Sequence, residues 1–227
     1  MLLAGIAIAA APGRVRGEVD GELAALTAGL PACDAARAHC FGIRLHVAVG
    51  AEAGAGPIAQ AEWLAVQLAT ANLRLAPLDV GVQVVGIDAL PASAGHIATR
   101  GDRDALAAGG LAGKLIHVFI TGRLDDVDEP GGVIRGVAWH TRGSDRKYVI
   151  LSTVAPERVL AHELGHVFGL PHSSYPRSIM NKAPRAEPPP EDRVFVDDEI
   201  AAMRPVVARL LQGGAIGELA RPERHPR

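Results

Sequence analysis

Apolar positions in this chain recur with two different periods, and the switches between them lay out its elements. From Gly17 to Leu30, Leu23, Leu26 and Leu30 stand at helical spacing until Pro31 interrupts the pattern. Ile43 to Val49 changes to alternation, with apolar residues exchanging with Arg44, His46 and Ala48, which predicts a strand. Pro57 then opens a helix predicted to reach about Leu75, with Ile58, Ala61, Leu64, Leu68, Ala71 and Leu75 along one side. Pro77 ends it. Val80 to Ile87 reads as a second strand and Leu115 to Thr121 as a third. The third is nearly all apolar, as a central strand covered on both faces should be.

Residues 91–113 read mostly as loop, with a short helix near Arg103 to Ala108. Val133 to Trp139 and Tyr148 to Ser152 are two further strands joined by a polar turn. Pro156 to about Leu170 is helical again, with proline near its first turn and Gly169 near its end. The proline-rich stretch from Ala183 to Glu191 is expected to be irregular. Asp197 to Leu211 forms the last predicted helix, with Ile200, Met203, Val207 and Leu210 on one side. Pro205 lies inside it and should kink it or delay its start. The tail from Gly213 onward is expected to be loose.

Composition adds bounds to this outline. The 227 residues are 48% hydrophobic and 21% charged, a balance that supports one domain with short appendages and excludes wholesale disorder. A net charge of −2 gives no electrostatic case for nucleic acid or an anionic membrane as partner. Met1 to Ala11 is a short apolar run ending in small residues, like the core and cleavage region of a secretory signal, although no basic start precedes it. It is too short to span a bilayer, and no later stretch is long enough. A secreted or periplasmic location is the expectation. Cys33 and Cys40 suggest a disulfide closing a small loop. Two reduced thiols, or one thiol serving as a latency ligand to a metal, are the alternatives.

The chemistry lies in His162-Glu163-Leu164-Gly165-His166-Val167-Phe168-Gly169-Leu170-Pro171-His172. Helical positions four apart stand one turn apart on one face, with Cβ atoms roughly 5–6 Å from each other. His162 and His166 can therefore send two imidazoles to one ion, with Glu163 beside it. A third ligand cannot continue along the same helix. Gly169 permits a turn with positive φ and Pro171 stops the helix from resuming, so His172 can swing back. Three neutral imidazoles leave a fourth position open, the mark of a catalytic zinc site. A pattern with five fixed positions arises by chance on the order of once in ten thousand such chains.

This segment resembles the extended zinc motif of the metzincins, and Ser178-Ile179-Met180 looks like their Met-turn. Leu170-Pro171-His172 followed by Ser173 is most similar to the matrixin-like branch. Ser-Ile-Met is also astacin-like, but Lys182 stands where astacins carry a tyrosine. The resemblance implies an α+β metzincin-like zincin domain with a mixed, mostly parallel five-stranded twisted sheet, a backing helix, an active-site helix and a C-terminal helix. It implies zinc held by His162, His166 and His172, Glu163 as general base, and Met180 as an apolar floor. The activity implied is that of a zinc-dependent endopeptidase acting on a protein or peptide substrate, paired with the edge strand around Val133 to Trp139.

The domain layout expected is a signal segment over 1–16, an N-terminal helix and cysteine loop over 17–40, the catalytic domain over 41–211, and a flexible tail over 212–227. A monomer is expected. Two other functions compete: a catalytically silent zinc-bearing binding module, and a zinc amide hydrolase for a non-protein substrate. Retention of Glu163 argues against the first. Secondary metal candidates are His46, His117 and His140 for a second ion, and the cluster Asp125, Asp126, Asp128 and Glu129 for calcium, which lacks EF-hand spacing.

Overall fold

A computed structural model describes residues 16–52, 54–140, 143, 146–183 and 187–220. The expected signal segment therefore lies outside the described residues, apart from the first residue of the N-terminal helix. Parts of the 140–147 turn, the proline-rich stretch and the last seven positions lie outside them as well.

Among the described residues, seven strands and five α-helices follow one another. They are α1 (Arg16–Thr27), β1 (His39–Ala48), α2 (Ala61–Leu75), β2 (Val80–Leu90), β3 (His96–Ile97), α3 (Arg100–Leu106), β4 (Ile116–Thr121), β5 (Arg123–Leu124), β6 (Gly136–Trp139), β7 (Tyr148–Ser152), α4 (Val159–Val167) and α5 (Asp197–Gln212). Five of the strands form one sheet in the order β2-β1-β4-β7-β6. All neighbours run parallel except β6, which pairs antiparallel with β7 and closes one edge. The α+β architecture with a mostly parallel five-stranded sheet is thus present. β3 and β5 form a separate two-stranded pair that the periodicity did not reveal.

The centre of the sheet is buried on both faces. Ile116, Val118 and Ile120 of β4, with Val149 and Leu151 of β7, join the large core that includes α2 and α4. Phe119, Tyr148 and Ile150 face the other way, into a smaller core with Ile97 and Leu124. This two-sided burial explains why β4 reads as an almost unbroken apolar run.

Several boundaries differ from the sequence reading, two of them for a non-local reason. α2 starts at Ala61, not at Pro57, because Pro57 bridges Val49 and the Ile58 N–H donates to Ala48 at 3.0 Å. β6 starts at Gly136, not at Val133, because Val133 bridges Asp125 and the Ile134 N–H donates to Leu124. α3 begins at Arg100, where Thr99 caps it by accepting from the Asp102 N–H at 3.0 Å. α5 runs from Asp197 through Pro205, so the proline does not delay its start.

The tail is not loose as far as it is described. Ile216 is buried, the Gly217 N–H donates to Lys114 at 2.8 Å, and the Leu219 N–H donates to Cys40 at 2.8 Å. Cys33 and Cys40 are disulfide-bonded. No helix among the described residues is long and apolar enough to cross a membrane.

Candidate active site

The site is built around α4, and α2 holds α4 in place. Gln67 of α2 is 1% exposed and satisfied at both ends of its amide. Its Nε2 donates to the carbonyls of Ala155 and Pro156, at 3.0 and 2.8 Å, and its Oε1 accepts from the Leu160 N–H. Trp63 also donates to Ala155. A buried amide left half-satisfied would be costly, so these bonds fix where the helix begins. Leu160, Ala161 and Leu164 then bury one side of α4 in the core and leave His162 and His166 toward the cleft.

The helix ends as its sequence suggests. The Phe168 N–H donates to Leu164 and the Leu170 N–H reaches back to Gly165, both at 2.9 Å, with Gly169 in the left-handed region at φ 95°. The chain turns there and returns His172 to the helix face. Ligand nitrogens of His162, His166 and His172 all lie within 4.8 Å of one another, the one such metal-capable group of three or more among the described residues.

Two of the three imidazoles are oriented for a cation by backbone carbonyls. The Nδ1 of His162 donates to the Ile179 carbonyl at 2.8 Å, and the Nδ1 of His166 donates to the Leu170 carbonyl at 2.7 Å. A carbonyl only accepts, so both protons sit on Nδ1 and the Nε2 lone pairs are free. The Nε2 atoms of His166 and His172 approach to 3.3 Å. Two nitrogens bound at roughly 2.0–2.1 Å to one tetrahedral ion would stand about 3.3 Å apart, so the donor set fits zinc. Burial, the leading cause, holds the His162 imidazole down to about 4, and lowers His166 and His172 as well. Neutral imidazoles are the ligating form.

Glu163 is 4% exposed beside them. Burial pushes its carboxyl up to about 8, with a hydrogen bond from the Ala138 backbone working the other way. It lies under the start of β6. A Cβ placed on Gly136 would sit 3.0 Å from Glu163 Oε1 and 2.6 Å from Val159 Cγ1. Gly136 is therefore a site residue that the sequence reading missed, although glycine opening a strand can signal close approach.

Met180 is fully buried beneath the helix, and Gly165 is what lets it come so near. A Cβ on Gly165 would meet Met180 Sδ at 2.6 Å and Phe195 at 2.8 Å. The Met-turn is held by Ser178, whose hydroxyl donates to buried Glu199 of α5 at 2.6 Å and accepts from the Met180 N–H. Gly165→Ala should overpack this contact and lower stability by about 1–3 kcal/mol. Thermal unfolding would show a lower midpoint, and an unchanged midpoint would contradict the close packing.

With this geometry in view, similarity to known proteins becomes informative. Residues 116–204, from β4 into α5, match the family model described as Peptidase_M10, matrixin. The chain's fold is metzincin-like. The matched segment takes in the edge strand, the histidine motif and the Met-turn of this metzincin-like domain. The solved structure of archaemetzincin from Methanopyrus kandleri covers 98% of its own chain and 76% of this one, with a TM-score of 0.50 at 19% identity, a likeness of fold. Archaemetzincin from Archaeoglobus fulgidus gives a TM-score of 0.40 at 16% identity, over 99% of that chain and 71% of this one. A comparison with curated proteins gives no match. The metzincin similarity supports a zinc metallopeptidase type of function.

The secondary candidates fall elsewhere. His46 Nε2 lies 2.8 Å from His117 Nδ1, His117 Nε2 donates to Ala112, and His46 also faces Asp88 at 3.3 Å. These two form a histidine pair at β1 and β4, away from the three site histidines. His140 lines the cleft instead. Asp125 is bound to His96 and Arg123, Asp128 pairs with Arg100, and Asp126 accepts from the N–H groups of Asp128 and Glu129. These acidic groups shape a turn and its ion pairs.

Proposed function

We propose that this protein is a zinc-dependent endopeptidase, with His162, His166 and His172 holding the ion and Glu163 acting as general base. The carrying observation is the convergence of the three histidine nitrogens with a buried carboxyl in one cleft beside an open strand edge. Zinc bound there supplies Lewis acidity to a peptide carbonyl and acidifies a water molecule.

The remaining work belongs to the chain. Glu163 takes a proton from water and hands it to the departing amine, the shuttle that a carboxylate beside a bound ion can perform. β6 is the outermost strand, and Ile134 through His140 line the cleft without a break. A peptide strand added along that edge would satisfy its backbone groups and lie extended across the site. The length of this wall supports cleavage within a chain over trimming at its end.

The test is incubation of the protein with unfolded protein substrates. Cleavage that a chelator stops and zinc restores is the expected result. Cleavage indifferent to the chelator would reject the assignment.

A further inference from the structure

The cleft has an unequal charge. Arg103, Arg135, Lys147, Arg158, Lys182 and Arg193 line it, against Asp126, Asp128 and Glu163, in a chain whose net charge is −2. Three of these cations are already engaged. Arg103 donates to Asp125 and lies over the Trp139 ring, Lys147 donates to His166, and Arg193 donates to Asn181 and Pro188. Arg135 and Lys182 are exposed.

Arg158 differs from all of them. It is half-buried, yet its guanidinium makes no hydrogen bond or ion pair with any of the described residues. Glu157 and Glu191 influence it only from beyond ion-pair contact, and both are exposed. Burial, then Arg193, lowers its pKa, so the folded protein holds this charge at a cost. Its backbone carbonyl accepts from the His162 N–H at 3.0 Å, which places Arg158 one helical turn before His162. Val159 beside it meets Gly136, the first residue of β6.

We propose that Arg158 is a specificity-determining residue that binds a carboxylate of the peptide substrate. A guanidinium offers five donors in a planar fork that fits a carboxylate with two parallel bonds. A substrate strand antiparallel to β6 runs from Trp139 toward Gly136. It therefore carries the residues C-terminal to the cleaved bond toward Arg158. The carboxylate is that of an acidic side chain or of the peptide's free C-terminus. This inference rests on the peptidase reading of the same cleft.

Binding and turnover are measured separately. Matched peptides carrying Glu or Gln on either side of the scissile bond, each with a free or amidated C-terminus, are titrated against zinc-loaded Glu163→Gln protein by calorimetry. The expected result is about tenfold tighter binding of the peptide that bears the carboxylate. Preference for Glu on the C-terminal side of the scissile bond identifies the side chain as source, preference for the free terminus identifies the main-chain carboxylate, and preference for Glu on the N-terminal side alone overturns the proposal. Either of the first two supports the proposal, and no preference overturns it as well.

In the same background Arg158→Gln should bring the ratio near one, and Arg158→Glu should shift preference toward Lys peptides. Retention of the ratio in Arg158→Gln, judged on protein that still binds zinc, also overturns it. Cleavage by the wild-type protein is scored on the same peptides. Cleavage without preference sinks the assignment of Arg158 alone, whereas preference without cleavage sinks the peptidase reading alone.

Discussion

Glu163→Gln is expected to abolish peptide cleavage while making the metal-free protein more stable. The first effect follows from loss of the base, which should lower kcat by roughly 10²- to 10⁴-fold, with zinc still bound by the three histidines. The second follows from burial. The carboxyl titrates near 4.5 when the chain is unfolded and at about 8 in the fold. Between those values the native state binds the extra proton, so stability falls as pH rises from 4.5 to 8 and then levels.

At about 1.4 kcal/mol per pH unit, the handicap is on the order of 3 kcal/mol at pH 7. Glutamine has no such proton to lose. The variant should therefore match the wild type below pH 4.5 and gain on it steadily above. Denaturant unfolding of the metal-free proteins across pH 4 to 9 measures the difference. A nearby cation favours the ionised carboxylate, so the comparison is made without zinc. Equal activity of variant and wild type would reject the general-base role, and parallel pH curves would reject the burial argument.

His172→Ala is expected to have the next largest effect. His172 is the one ligand outside α4 and the most exposed of the three. Its removal leaves two imidazoles, neither of which can move to replace the third, because each is tied through Nδ1 to a carbonyl. Removal of outer-shell partners of a metal ligand costs roughly 10- to 100-fold in affinity, and a ligand itself should cost more than about 100-fold. Competition against a chromophoric zinc chelator reads this directly. Because His172 lies beyond the helix and at the surface, the fold should survive. Unchanged affinity would mean that the three nitrogens do not share one ion.

How much of this was legible in the sequence depended on the range of the interactions involved. The histidine helix is a local device: i,i+4 spacing, a glycine that turns the chain and a proline that blocks resumption all lie within eleven residues. Its geometry could be read without knowing the rest. The central strand β4 was legible because burial on both faces leaves a composition that few other environments require. What escaped depends on partners distant in sequence. Pro57 looks like a helix start until Val49 is known to bridge it, and Val133 looks like part of a strand until Asp125 takes it away. The close approaches at Gly136 and Gly165 need Glu163, Met180 and Phe195 to be placed first. Arg158 carries no signal at all in one dimension, since what marks it is the lack of a described partner in the fold.

The bond between Ser178 and Glu199 has a consequence for how portable the site is. The zinc motif fits on one short stretch, but the wall opposite β6 is fastened by a carboxylate nineteen residues after Met180, on a helix that touches no reacting atom. Transplanting the motif and its Met-turn into another scaffold would carry over the ligands and leave their buttress behind. The working unit of this centre therefore reaches from α2, whose Gln67 and Trp63 seat the histidine helix, to α5.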